Sequence, residues 1–365
     1  MSLAYRALCM QVKCLAVNRA ADRAEAGQII ERSLTRLRAQ IRAGVLWVGA
    51  EDCRLVVLPE YFLTGFPMGE SVAQWAAKAA FEIGGAEYTA LGRIAQENRI
   101  YLAGNAYELD EHFPGLFFQT CFLIEPSGDV VLRYRRLNST YSPTPHDVWD
   151  KYLDVYGLEG VFPVARTAIG NIAAIASEEI LYPEVARCLA MRGAEVFFHP
   201  TSQANERARR IKEVCTVARA AENLAYVVSA NSGGIEGTAI LDASVDGGSK
   251  VVDYRGLTLA ETGAGESMAA FAEIDLAALR RFRARPGMEN LLARQRFEAY
   301  AESYAQHRFY PANNLGELNN VAPERNHFLQ TQRATIARLL EAGVLRYPTD
   351  DGALPKERDN ADSET

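Results

Sequence analysis

The chain has 365 residues, 48% of them hydrophobic and 23% charged, which is enough apolar material for a large core in one or two domains. Its net charge of -7 argues against general nucleic-acid binding, which needs a basic surface. No stretch reaches the roughly 18 uninterrupted apolar residues that would span a bilayer, and residues 1–6 lack a charged-then-apolar secretory pattern, so a cytoplasmic protein is expected.

A strand is predicted near Tyr5–Cys14, then an amphipathic helix over 21–43 with Ile30, Leu34, Leu37 and Ile41 on its apolar face. Residues 53–58 form a short apolar strand stopped by Pro59-Glu60. The Ala-rich stretch 71–98 reads as helices broken at Gly84-Gly85. Strands recur near 100–106, 117–124 and 130–136, the last two joined by a hairpin turn at 125–129. Residues 138–160 hold Pro143, Pro145 and several aromatics among polar residues and read as a long lid or binding loop. Beyond it follow strand 171–176, helix 183–192, strand 195–199, helix 205–223 and strand 225–230, two successive βαβ units. Short strands near 237–242, 249–254 and 267–274 close the domain, and 276–346 reads as a largely helical arm. The polar, acidic end, about the last 15 residues, is expected to be disordered. The fold class is α/β, in layers with a mixed sheet.

The six cysteines (Cys9, Cys14, Cys53, Cys121, Cys188 and Cys215) form no Cys-x-x-Cys pair and read as reduced packing residues, with no zinc site. Chemistry is expected at three strand ends. Glu60 follows the strand 55–58, Arg136 ends 130–136, and Ser177 stands on a sharp turn between strand 171–176 and a helix with Pro183 near its start. A carboxylate, a cation and a hydroxyl there make a base, a charge stabiliser and a nucleophile. The plainer reading of Ser177, a cap on backbone N–H groups, carries equal weight.

The stretch Leu58-Pro-Glu-Tyr-Phe-Leu-Thr-Gly-Phe66 resembles the first signature of the nitrilase (carbon–nitrogen hydrolase) superfamily. Residues 132–137 resemble the second and 169–184 the third, and 218–231 match a fourth stretch. The resemblance spans about residues 5–285. It implies an α-β-β-α sandwich that pairs with a second copy into a four-layer assembly, a nitrilase-like domain over 1–285 and an oligomer-contacting arm over 286–365. The expected protein is at least a homodimer with no metal or organic cofactor.

In that superfamily the signatures supply a Glu base, a Lys and a Cys nucleophile. Glu60 fits the first role, but Arg136 stands at the Lys position and Ser177 at the Cys position. The exchange has a cost. A cysteine thiol and a glutamate differ by about 4 pK units, roughly 6 kcal/mol, whereas a serine hydroxyl, a weaker acid than tyrosine, lies more than about 5.7 units above glutamate. Glu60 alone is therefore a poor base for Ser177. His199, at the end of strand 195–199, is the alternative base, although a backbone hydrogen bond at the strand end is the favoured reading of it. The Glu178 N–H is expected to form half of an oxyanion hole, and Glu179 reads as structural. Tyr61, Tyr141, Asp147 and Trp149 are the substrate-pocket candidates. Cys188 and Cys121 read as core, and Arg207, Arg209, Arg210 and Lys212 as the solvated face of a helix. Two functions follow: an amidase-type hydrolase of a non-peptide carbon–nitrogen bond through Ser177, or a catalytically inactive binding protein of the same fold. A deliberate Cys→Ser exchange would have left the lysine position alone, so Arg136 argues against one.

Overall fold

The central strands of the fold bury both of their faces, and this decides the layering. The computed structural model describes residues 4–203, 206–241, 247–315 and 324–347. Its first strands are β1 (Ala4–Cys9), β2 (Lys13–Leu15), β3 (Cys53–Val57), β4 (Tyr101–Leu109), β5 (Phe117–Ile124), β6 (Val130–Arg135) and β7 (Ala165–Thr167). The later ones are β8 (Gly170–Ala174), β9 (Val196–Pro200), β10 (Tyr226–Ala230), β11 (Gly234–Glu236), β12 (Lys250–Val252), β13 (Thr258–Glu261) and β14 (Phe271–Asp275). They make two six-stranded sheets, ordered β14-β1-β3-β4-β5-β6 and β13-β12-β10-β9-β8-β7, with β2 and β11 paired apart. In each sheet three parallel strands (β1, β3, β4 and β10, β9, β8) are flanked by antiparallel ones.

Side chains of period two from the first sheet enter two cores. Ala7, Cys9, Tyr101, Ala103, Cys121 and Leu123 face the second sheet, while Leu8, Leu102, Phe118 and Phe122 face outward under helices. Those helices are α1 (Arg23–Val48), α2 (Val72–Ala79), α3 (Ala86–Asn98) and α4 (Trp149–Val161). The second sheet is covered by α5 (Pro183–Met191) and α6 (Glu206–Asn223). The result is the expected α-β-β-α sandwich. Helix α1 starts where Asp22 accepts from the Glu25 N–H, and α2 where Ser71 and Gln74 form a reciprocal capping box. The chain continues through α7 (Leu276–Arg283), α8 (Phe297–Ala305) and α9 (Arg325–Glu341).

Several expectations need correction. Of residues 138–160, only 138–144 are irregular, and Ser139 to Ser142 line a cavity. A 3₁₀ turn over Pro145–Val148, opened by a Thr144–Asp147 capping box, runs into α4. Pro145 sits where the 3₁₀ turn begins, and Tyr152 packs against Phe113 and Phe118, which pays for the ordering. The strand near 5–14 is two strands that part at Met10–Val12. β11 lies just ahead of the expected strand 237–242, and β7 and β13 are short additions at sheet edges. The arm packs partly on its own chain: the Asn313 and Leu315 N–H groups donate to the carbonyls of His146 and Asp147. The terminal stretch expected to be disordered lies outside the described residues from 348 onward.

Candidate active site

Both sheets send residues to one place. β3 delivers Glu60, β5 Gln119 and β6 Arg136; β8 delivers Ser177, β9 His199 and Thr201, and α6 Lys212. Ser177 opens a 3₁₀ turn and has φ +47°, left-handed backbone that costs a non-glycine residue roughly 1–2 kcal/mol. His199 holds this conformation. Its Nε2 lies 2.8 Å from the Ser177 carbonyl oxygen and its Nδ1 2.8 Å from Ser229 Oγ. A carbonyl can only accept, so Nε2 carries the proton and Nδ1 accepts from the Ser229 hydroxyl. Burial, reinforced by the charge of Lys212, pushes the His199 pKa down to about 3. The histidine expected as an alternative base is thus a neutral backbone clamp, and it contacts the carbonyl of Ser177 rather than its hydroxyl.

The Ser177 hydroxyl has another partner. Lys212 Nζ lies 3.1 Å from Ser177 Oγ and 3.0 Å from Thr201 Oγ1. The capping reading of Ser177 is not met: among the described residues its hydroxyl bonds to Lys212 and to no backbone N–H. Lys212 was read from the sequence as part of a solvated charge run, and this is overturned: it is 9% exposed. Of its run, Arg210 is exposed, and the side chains of Arg207 and Arg209 lie outside the described residues. The signal was present in the helical period. Counting back along the buried stripe Asn223, Ala220 and Thr216 arrives at Lys212. Burial lowers the Lys212 pKa to about 8; Glu60 opposes the fall and Arg136 adds to it. A hydroxyl and a lysine that gives up its proton near neutrality form a Ser–Lys pair.

Arg136 is built differently. Its Nε donates to the Asn138 carbonyl at 2.5 Å, and its Nη1 to Gln119 Oε1 at 2.7 Å and to Glu60 Oε1 at 3.3 Å. Its Nη2 pairs with the Glu178 carboxylate. Burial works against this charge, but Glu178 and Glu60 outweigh it and hold the guanidinium pKa above its ordinary value. Glu60 is equally engaged, by Arg136, by the Gln119 amide and by the Ser202 N–H at 3.1 Å. The expected Glu60 contact with Ser177 is therefore absent among the described residues, and Gln119, which bridges Glu60 and Arg136, was not anticipated. Glu179 is structural as read: it accepts from the N–H groups of Leu137 and Asn138 and from the Tyr134 hydroxyl. The six cysteines are free, and no cluster that could hold a metal ion occurs among the described residues.

Above Ser177 opens a cavity of about 390 Å³, lined by Glu60, Arg136, Lys212, Tyr61, Tyr107 and Tyr141 among others. Tyr61 stacks on Tyr107, ring centroids 5.4 Å apart. Asp147 and Trp149, expected in this pocket, are instead in an adjoining cavity of about 540 Å³. Ser139, Thr140, Glu178 and Leu181 line both. No helix among the described residues is long and apolar enough to cross a membrane.

The family model described as carbon-nitrogen hydrolase matches residues 7–284. A formamidase of Bacillus cereus is 25% identical over 192 residues, 52% of this chain and 53% of that protein. An omega-amidase of Homo sapiens is 24% identical over 233 residues, 64% of this chain and 80% of that protein. The chain thus spans about half the length of the first relative and more of the second. The crystal structure of a carbon–nitrogen hydrolase from Helicobacter pylori superimposes with a TM-score of 0.59 at 20% identity, over 82% of this chain and 98% of that one. The last likeness carries the fold.

Proposed function

The chain belongs to the carbon–nitrogen hydrolase family, the nitrilase superfamily, and from that premise we propose that it hydrolyses a small amide through Ser177, with Lys212 as the base. The observation that carries this reading is the buried Lys212 Nζ 3.1 Å from Ser177 Oγ, with a pKa lowered to about 8. Neutral Lys212 takes the hydroxyl proton as Oγ attacks the amide carbonyl. The oxyanion is met by the Glu178 N–H, at the start of a 3₁₀ turn where N–H groups have no partner within the turn. The ammonium of Lys212 then returns its proton to the leaving nitrogen, releasing ammonia or an amine and leaving an acyl ester on Ser177. Water activated by the same lysine hydrolyses the ester to the acid. Glu60 and Gln119 hold Arg136, and the Glu60 charge favours the lysine ammonium as it forms.

A binding protein without turnover is the second reading. Arg136 favours it, because its fork is shared out among Asn138, Gln119, Glu60 and Glu178 and keeps few donors for a substrate. Ammonia release from a panel of short amides above pH 8, with intact-mass detection of an acyl adduct lost in Ser177→Ala, separates the two. Release and a Ser177 adduct are expected; neither, with ligand binding unchanged in Ser177→Ala, would sink the hydrolase reading.

A further inference from the structure

The adjoining cavity has a chemistry that the reaction at Ser177 does not use. Asp147, Glu178 and Glu184 line it, and no lysine or arginine does among the described residues. Glu178 is paired with Arg136, and Glu184 accepts from the Tyr304 hydroxyl. Asp147 is the exception. It is 2% exposed; its Oδ2 accepts from the Thr144 N–H and hydroxyl, while its Oδ1 has no hydrogen-bond partner. A buried carboxylate oxygen without a donor is costly. Burial accordingly raises the Asp147 pKa against the opposing pull of Thr144. Around it stand Trp149, Tyr310 and Phe328, aromatic surfaces that suit a cation or an alkyl chain.

We propose that this cavity is a subsite for the ammonium end of the substrate, so that the enzyme takes amides carrying a primary amine on an alkyl chain. The proposal rests on the hydrolase reading of Ser177. The shared wall places the subsite next to the catalytic cavity, so one extended molecule can occupy both. An ammonium supplies the donor that Asp147 Oδ1 lacks and the charge that the cavity lining leaves unbalanced. The methylene chain lies along the aromatics.

The test compares a homologous series of ω-amino amides with their methyl-ended isosteres. For the best chain length, kcat/KM should favour the amine by about tenfold or more, the worth of a charge-assisted hydrogen bond. Asp147→Asn should bring that ratio close to unity. Its amide oxygen still accepts from Thr144 and its NH2 replaces the partnerless oxygen, so the 3₁₀ turn keeps its cap. A wild-type ratio at or below one, or one that Asp147→Asn leaves intact, overturns the proposal. Simple alkylamines should inhibit competitively against the amides; noncompetitive inhibition would mark a separate effector site and overturn the substrate assignment. Calorimetric titration of Ser177→Ala with alkylamines and alkanols keeps the two readings apart. Asp147-dependent amine binding without any turnover means that the hydrolase reading fails and the cation site stands. Turnover without amine binding removes the cation site alone.

Discussion

Two buried cations flank Ser177, Arg136 just past β6 and Lys212 on α6, and their surroundings are opposite. Arg136 lies among carboxylates, Glu60 and Glu178, and keeps its charge. Lys212 meets two neutral hydroxyls, those of Ser177 and Thr201, and its pKa falls to about 8. Both are removed from water, so burial alone does not separate them. The difference lies in what replaces the lost hydration. Carboxylates compensate a charge, whereas hydroxyls solvate an amine nearly as well as an ammonium. On the proposed reading Arg136 is a structural cation, and Lys212, on another element, is the base for Ser177.

The comparison breaks most sharply if the lysine proves dispensable. Ser177→Ala and Lys212→Met should each reduce kcat/KM by about a thousandfold or more in an ammonia-release assay, and the double variant should lose little beyond either single one. Additive losses would show that the two do not act as a unit. In the wild type, kcat/KM should climb as pH rises through about 8, because the base must be neutral. No inflection from His199 is expected near pH 6.5, since its pKa is pushed down to about 3.

Next in size is the structural cation. Arg136→Met leaves Glu60 and Glu178 without their shared partner and should destabilise the fold by about 3–5 kcal/mol in denaturant titrations. Lys212→Met should do the reverse. Its ordinary pKa of 10.5 drops to about 8 on folding. Between those values the unfolded chain holds a proton that the folded chain releases, so stability rises with pH across that window. Below it both states are protonated and the buried ammonium costs roughly 3 kcal/mol. Methionine removes that cost and loses two hydrogen bonds, for a net gain of about 1–2 kcal/mol at pH 7. A variant that is more stable and inactive would mark Lys212 as kept for chemistry. A less stable one would align it with Arg136.

Smaller effects sharpen the picture further. His199→Ala removes the donor to the Ser177 carbonyl and should cost about 1–3 kcal/mol in a thermal melt. It should lower kcat while leaving the ascending limb of the pH profile where it is, as expected of a positioning residue. Glu60→Gln keeps the shape of the network but removes a charge that supports the Lys212 ammonium. The ascending limb should then move to lower pH; a shift to higher pH would show that Glu60 does not act on Lys212 through its charge.

Much of the fold was legible because it depends on local patterns. The apolar runs near 100–106 and 117–124, the Pro183 helix start and the Glu60, Arg136 and Ser177 positions at strand ends all follow from near neighbours in the chain. The helix from Pro145 onward is not legible in the sequence, because it is stabilised by Tyr152 packing on Phe113 and Phe118, contacts that local composition does not reveal. His199 was placed on the correct sheet edge, but whether its ring meets the hydroxyl or the carbonyl of Ser177 depends on side-chain direction.

The sequence by itself determined the sandwich, the turn that carries Ser177, and the presence of Arg136 and Ser177 in stretches that resemble the superfamily's second and third signatures. Only the tertiary structure decided which group meets the Ser177 hydroxyl. Lys212 lies 35 residues beyond Ser177 on another element, inside a run of charges that reads as solvated. Its burial, and hence its lowered pKa, comes from α6 lying over the second sheet, and a pKa is a property of surroundings that the chain acquires only once those layers close.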